Sequence, residues 1–463
     1  MTLIKSISGI RGTIGGNVND NLTPVDTVKF AAAYGSWLID RNPTKEKLRV
    51  VVGRDARISG KMISSLVSNT LVGMGIYVID LGLSTTPTVE VAVPIENAHG
   101  GIILTASHNP KQWNALKLLN EKGEFLNGQE GEKILKIADD DSYTFADVDN
   151  LGTYSKVKGY IDKHIDQVLA LALVDVDAVK NANFKVVVDA VNSTGGIAIP
   201  RLLNKLGVEC IELYCEPNGE FPHNPEPLKE HLTDISELVV KEKADLGIVV
   251  DPDVDRLALV CEDGSMFGEE YTLVACADYV LSKTKGDTVS NLSSSRALRD
   301  ITEKHGGTYQ ASAVGEVNVV QLMKDTKAVI GGEGNGGIIY PESHYGRDSL
   351  VGVALFLSHL AESKKSCKTL RATYPNYFMS KNKIQLTPNL DVDKILILVA
   401  EKYKDEEVNT IDGIKIDFNS EWIHLRKSNT EPIIRIYTES TSQFKADELA
   451  IRVMDEISNI AGI

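Results

Sequence analysis

The chain has little of what would mark a secreted, membrane-embedded or nucleic-acid-binding protein. Its five cysteines, Cys210, Cys215, Cys261, Cys276 and Cys367, are odd in number and never form a CxxC pair, which argues against a disulfide framework or a cysteine-built zinc site. No apolar run approaches the roughly 20 residues of a membrane-spanning helix, and the opening MTLIKSISGIRG lacks the apolar core of a signal peptide. Basic residues are outnumbered, 49 Lys and Arg against 64 Asp and Glu, for a net charge of -15. A nucleic-acid backbone or an anionic membrane is therefore a poor partner, and an anionic substrate would need a locally basic pocket. The expectation is a cytoplasmic protein, with no nucleic-acid or membrane partner.

What is present is ordinary soluble-protein material: 43% hydrophobic and 24% charged residues over 463 positions, which excludes a disordered or fibrous class. At roughly 100–200 residues per domain this length predicts three or four domains. One plan recurs. LRVVVGRDARISG, FKVVVDAVNSTGG and GDTVSNLSSSRALRD each read as a buried strand, a polar turn and a helix. In each block a second apolar strand ends in an unusual loop: GIILTASHNP, then LGIVVDPDVDR, then AVIGGEGNGG. Beyond Arg371 the segments GIKIDF, WIHLRKS and PIIRIYTES alternate as antiparallel strands do, ahead of a final helix from about Phe444. Thr23 with Pro24 predicts a helix start, with the helix running to about Asp40.

Four loops and one opening turn carry the chemistry. Ile102, Ile103 and Leu104 break into a turn at Ser107, and Asn109-Pro110 ends the strand there. That exposes a hydroxyl at a strand's carboxyl end, where open α/β sheets bind ligands; alone, a Ser-His pair in a loop is also an ordinary solvated turn. Asp251, Asp253 and Asp255 alternate after the strand Leu246 to Val250, and three carboxylates that close repel one another unless a hard cation joins them. In GGEGNGG, Glu333 and Asn335 can grip hydroxyl groups, and the spacing is not that of a GxGxxG phosphate loop. In RKSNTEPIIR, Arg426, Ser428, Asn429, Thr430 and Arg435 suit a phosphate dianion. Near the start, Ser8-Gly9-Ile10-Arg11-Gly12 turns tightly around Arg11.

TASHNP followed by Asn114 and Lys117, together with the three later loops in order, resembles the α-D-phosphohexomutases: phosphoglucomutase, phosphomannomutase and phosphoglucosamine mutase. The resemblance spans nearly the whole chain. It implies three similar mixed α/β domains plus a C-terminal α+β domain around a central cleft, with expected limits 1–150, 151–258, 259–370 and 371–463. It implies that Ser107 carries a phosphoryl group and exchanges it with a hexose phosphate through a bisphosphate intermediate, primed by a hexose 1,6-bisphosphate. Mg²⁺ would be held by Ser107, Asp251, Asp253 and Asp255, and Lys117, with a lowered pKa, would move protons with help from Arg11 or His108. Arg256, Glu316, Glu333, Asn335, Arg426, Ser428, Asn429, Thr430 and Arg435 would hold the substrate, and the basic turn with Arg54, Asp55, Arg57 and Ser59 would support the serine loop. Family members often have glycine where Pro252 stands, a change that removes no ligand. The C-terminal domain would hinge, in a monomer or homodimer.

For the sugar, the two third-domain histidines frequent in phosphomannomutase/phosphoglucomutase members are absent, and Gly315-Glu316 and Gly337 stand in their place. The Val-Gly-acid sequence is similar to archaeal-type phosphoglucosamine mutases, and a partly protonated 2-amino group is better served by Glu316 or Glu333 than by a cationic imidazole. Asn429 is more like the mannose and glucose enzymes. The favoured reaction is glucosamine 6-phosphate to glucosamine 1-phosphate, with phosphomannomutase/phosphoglucomutase as the alternative. A serine phosphohydrolase and a sugar-phosphate-binding protein are remote alternatives.

Overall fold

A computed structural model describes residues 2–6, 9–43, 47–385, 391–427 and 433–461. The chain forms two compact units, one of Met1–Tyr279 with Asn335–Leu370 and one of Val280–Gly334 with Arg371–Ile463. Among the described residues no helix is long and apolar enough to cross a membrane.

The first unit opens with a seven-stranded sheet in the order Ile4–Ser6, Gly9–Thr13, Trp113–Leu119, Gly100–Leu104, Arg49–Arg54, Tyr77–Leu83, Tyr154–Lys156. Its centre is parallel and covered on both faces, which is why its strands read as continuous apolar runs. Alternation decides which residue meets which layer. Val50, Val52, Ile102 and Leu104 join Phe30, Trp37, Ile63 and Leu71 in one core, whereas Val51 and Ile103 join Val89 and Val93 on the opposite face. The helix Pro24–Arg41 starts as its sequence predicts, with Thr23 as N-cap and Asp26 closing a capping box.

A second sheet repeats the central plan in the order Leu257–Cys261, Leu246–Val250, Lys185–Asp189, Glu209–Leu213, parallel except for the antiparallel edge strand Leu257–Cys261. Each predicted strand-turn-helix block is present: Lys185–Asp189 leads to the helix Gly195–Lys205, and Thr288–Asn291 leads to Ala297–Lys304.

In the second unit Thr288–Asn291 lies parallel to Tyr309–Ser312 and to Ile330–Glu333. An antiparallel sheet follows in the order Phe378–Gln385, Ile433–Ser440, Trp422–Lys427, Ile414–Asp417, Glu407–Asn409, with the helices Val392–Lys402 and Gln443–Ala461 closing its apolar face. The C-terminal residues do not stand apart in this unit. Glu439 Oε1 accepts from Arg296 N at 3.0 Å and Trp422 Nε1 at 2.7 Å, and His424 Nδ1 lies 2.9 Å from Ser293 Oγ. The C-terminal sheet is thus tied to 280–334 by part-buried polar contacts. The 259–370 block supplies segments to both units.

Candidate active site

Strand Gly100–Leu104 hands over to a turn whose conformation is imposed on the backbone. Ser107 has φ 48°, a left-handed geometry that costs a non-glycine residue roughly 1–2 kcal/mol. Arg57 provides the constraint. Its guanidinium is buried, and Nε donates to Asp55 Oδ2 at 3.0 Å while the two Nη atoms donate to the carbonyls of Ser107, Asn109, Pro110 and Trp113. All five N–H groups of the side chain are used. Thr105 completes the frame, donating to Asp55 Oδ2 at 2.7 Å and accepting from Ser107 N at 3.0 Å.

Ser107 Oγ donates to Asp251 Oδ2 at 2.7 Å. Asp251 follows the fully buried strand Leu246–Val250, and the chain then turns through Val254 at φ 66° so that three aspartates face one point. One carboxylate oxygen from each of Asp251, Asp253 and Asp255 lies within 4.8 Å of the others, and all three residues are fully buried. Asp251 Oδ1 accepts from the backbone N–H groups of Asp255 and Arg256, both at 3.1 Å. Asp253 Oδ2 accepts from Thr86 Oγ1 at 2.6 Å and Lys117 Nζ at 2.8 Å; Asp255 Oδ2 accepts from Arg347 Nη2 at 2.6 Å and Lys117 Nζ at 3.4 Å. Pro252 serves as an anchor, its carbonyl accepting from Ser193 Oγ at 2.6 Å and Thr194 Oγ1 at 2.9 Å.

The buried oxygens Asp253 Oδ1 and Asp255 Oδ1 have no hydrogen-bond partner among the described residues. Burial pushes the Asp251 carboxyl well above its ordinary range, and Asp253 and Asp255 push it further. Unpaired buried oxygens and mutually repelling carboxylates are what a hard divalent cation relieves, so the residues present fit one.

Lys117 lies on strand Trp113–Leu119 opposite Ile103. Arg11 pairs with Ala115, which puts Arg11 and Lys117 on the same face of the sheet. Burial pulls the Lys117 ammonium down, but Asp253 and Asp255 outweigh it and hold the group above its usual range. The two carboxylates thus oppose the lowering expected of Lys117. His108 Nδ1 lies 3.4 Å from Ser107 Oγ. Burial, followed by the Arg256 guanidinium, pushes its imidazole down to about 2, so it is uncharged at neutral pH. Arg256 reaches to 3.6 Å from Glu226 through Nη1, and its buried Nε has no hydrogen-bond partner among the described residues.

The second unit holds the other candidates. Glu316 opens the helix Glu316–Thr326 behind Gly315, whose φ of 119° suits glycine. Glu333 ends strand Ile330–Glu333, and its Oε1 accepts from Asn291 Nδ2 at 2.8 Å and Gly315 N at 3.3 Å. Arg426 and Arg435 are direct cross-strand partners, an arrangement of like charges that destabilises a strand pair unless an anion joins them. Asp412 Oδ2, 2.9 Å from Arg426 Nε, offsets part of that charge. Ser428, Asn429 and Thr430 lie outside the described residues. Asn335 belongs to the first unit, where its Oδ1 accepts from Gly337 N at 3.2 Å.

The chain matches four consecutive domain families: phosphoglucomutase/phosphomannomutase alpha/beta/alpha domain I over residues 3–144, domain II over 160–264, domain III over 268–377 and the C-terminal domain over 388–456. A phosphoglucomutase/phosphomannomutase of Thermococcus kodakarensis is 34% identical, over 96% of this chain and 98% of its own. The chain belongs to the phosphoglucomutase/phosphomannomutase family. A phosphoglucosamine/phosphogalactosamine mutase of Sulfurisphaera tokodaii is 30% identical, over 98% of this chain and 97% of its own. The crystal structure of a family protein from Burkholderia thailandensis superposes with a TM-score of 0.85 at 25% identity, covering 99% of this chain and 98% of the other. The protein is accordingly an enzyme of the mutase class, a phosphohexomutase and so an intramolecular phosphotransferase.

Within this family member the first unit gathers Ser107, His108, Lys117, the three aspartates and Arg256. The sequence reading gave Arg57 and Asp55 a supporting part and missed Thr86, Arg347 and Glu226. Thr86 sits in a plain TTPT run, and Arg347 acts on an aspartate 92 positions earlier, so no local pattern marks either. In the folded chain Arg347 packs against Gly337, where a Cβ would lie 2.3 Å from Arg347 Cδ.

Proposed function

We propose that this phosphohexomutase moves phosphate between the 6- and 1-positions of a hexose by way of a phosphoserine at Ser107. The observation that carries the reading is the Ser107 hydroxyl directed at a buried aspartate whose two neighbours keep unpaired oxygens. In the first half-reaction the Ser107 Oγ–P bond breaks, a P–O bond to the free sugar hydroxyl forms and the hydroxyl proton leaves to a base. In the second, the sugar O–P bond of the other phosphate of the bisphosphate breaks and Oγ–P forms again. The Oγ proton then leaves to a base, and the leaving sugar oxygen takes up a proton. Lys117 is the proton carrier of this proposal; the field of Asp253 and Asp255 that holds it protonated weakens when those carboxylates are shared with a cation. Uncharged His108 assists as a hydrogen-bonding partner of Oγ, and Arg11 shares the Lys117 face. Arg256 offers its Nε to a phosphoryl oxygen. Asp251, Asp253, Asp255 and an oxygen of phosphorylated Ser107 would hold Mg²⁺, which supplies charge neutralisation when bound.

Arg426 and Arg435, with Ser428, Asn429 and Thr430, bind the phosphate that is not reacting, and Glu333, Asn335 and Glu316 read the sugar. The favoured substrate is glucosamine 6-phosphate, because Glu316 follows Gly315, whose N–H donates to Glu333, and carboxylates suit a partly protonated amine. The alternative, phosphomannomutase/phosphoglucomutase, draws support from the name of the 34%-identical relative and from Asn429. The domain limits 1–150, 151–258, 259–370 and 371–463 and a soluble cytoplasmic monomer or homodimer remain part of this proposal. The test is turnover of glucosamine, glucose and mannose phosphates with Mg²⁺ and a hexose 1,6-bisphosphate primer, against Ser107→Ala. Fastest turnover of glucosamine phosphate is expected; a preference for glucose or mannose phosphate would overturn the Glu316 argument and leave the mechanism.

A further inference from the structure

A second group of metal-binding side chains lies in the first unit, away from the three aspartates. His164 Nε2 lies 2.9 Å from Asp348 Oδ2, and His344 Nε2 lies 3.2 Å from the same oxygen. The other nitrogen of each ring also faces an oxygen: His164 Nδ1 is 3.0 Å from Thr88 Oγ1, and His344 Nδ1 is 3.4 Å from Glu90 Oε2. Asp348 Oδ1 is engaged separately, capping the helix Ser349–Ser363 through the N–H groups of Leu350 and Val351, which leaves Oδ2 for the histidines. His164, Asp348 and Glu90 are buried, while His344 retains some exposure.

A neutral imidazole carries one N–H, and both nitrogens of His344 face carboxylate oxygens. One proton satisfies one of them, so the other side needs either a second proton or a metal cation. The geometry favours the cation. Nδ1 of each ring faces an oxygen, Thr88 Oγ1 for His164 and Glu90 Oε2 for His344, the arrangement that orients metal-ligating histidines. The Nε2–Oδ2 separations approach the roughly 3.3 Å edge of a tetrahedron with bonds of about 2.0 Å. The imidazole planes stand 76° apart, one ligand atom from each of the three residues lies within 4.8 Å of the others, and partly exposed His344 gives an entry path.

We propose that His164, His344 and Asp348 form a second metal site that takes Zn²⁺, with Thr88 and Glu90 orienting the two imidazoles. Two neutral histidines, a carboxylate and a water are a borderline-soft donor set that suits zinc better than magnesium. Two of the segments that meet at the site also reach the aspartate loop. His344 and Asp348 flank Arg347, which holds Asp255, and Thr88 and Glu90 follow Thr86, which holds Asp253, on the helix Thr86–Ile95. Zinc here braces the aspartate loop from below and takes no part in phosphoryl transfer.

The test uses full-length protein stripped with EDTA, supplied with excess Mg²⁺ and titrated with Co²⁺ as a spectroscopic probe. The expected result is one equivalent of Co²⁺ with the intense visible absorption of a four-coordinate ion, displaced by Zn²⁺, and a rise in Tm when Zn²⁺ is added. His344→Gln is expected to weaken Co²⁺ binding at least about tenfold, with its metal-free Tm as the folding control. Thr88→Val, which leaves all three ligands, gives a smaller loss, and Asp253→Asn keeps the band. Absence of the band in the native protein, its persistence in His344→Gln, or its loss in Asp253→Asn with His344→Gln unaffected would overturn the proposal.

Discussion

The aspartate loop of the first unit and the arginine pair of the second are both charged sites, and they are built in opposite ways. Asp251, Asp253 and Asp255 are fully buried and receive Ser107, Thr86, Lys117 and Arg347 from four separate segments. Arg435 is exposed on strand Ile433–Ser440, and Arg426 opposite it has Asp412 as counter-charge. A buried charge group has its cost met by partners in advance, so removing one partner leaves an uncompensated charge. Half-buried Arg426 already has Asp412 beside it, whereas exposed Arg435 costs little to desolvate and is open to an arriving anion. Chemistry therefore belongs where the environment is fixed, and recognition where the charge is still available.

Substitutions can break that contrast. Ser107→Ala removes the group that is phosphorylated, and turnover is expected to fall on the order of 10⁴-fold or more, with substrate binding retained in calorimetry. Asp253→Asn is next: a drop of about 10²–10³-fold in kcat and a higher Mg²⁺ requirement, read from magnesium titrations of initial rate. If Asp253→Asn left the magnesium dependence unchanged, the three aspartates would not be the metal site.

Arg57→Lys keeps the charge and loses the five-donor fork. It is expected to cost about 3 kcal/mol of stability by denaturant titration, and kcat should fall with it because the carbonyls of the Ser107 turn lose their clamp. Arg435→Ala should leave the Tm in place and raise KM about tenfold, with kcat changed little and the effect shrinking as salt is added. An Arg435→Ala protein that lost kcat at unchanged KM would contradict the division between the two regions.

Much of the chemistry was legible because it rests on short-range patterns. The serine turn follows an apolar strand and precedes Asn-Pro, the aspartates alternate directly after another apolar strand, and Thr23 and Pro24 announce a helix start. The alternation in GIKIDF and WIHLRKS predicted the antiparallel sheet that is present. What failed to show depends on long-range placement. Arg347 lies in a loop with no motif, and its role comes from a contact with Asp255. The Lys117 charge state follows from two carboxylates more than 130 positions away, which no spacing rule brings beside it. The split of 259–370 between the units follows from the chain leaving the first unit after Tyr279 and returning at Asn335. Hydrophobic periodicity marks the strands on both sides of those crossings and is silent on which core they join. No spacing in the sequence joins His164 to His344, because their shared partner Asp348 is revealed only by folding.

The most direct test of the account is to follow the phosphate itself. The protein is incubated with a hexose 1,6-bisphosphate and Mg²⁺, separated from free sugar, and analysed by peptide mass spectrometry before and after a brief exposure to hexose monophosphate. The account predicts phosphate on Ser107 that disappears on that exposure while hexose bisphosphate forms in equal amount. Phosphate on another residue, or phosphate that stays on Ser107 while turnover continues, would contradict it.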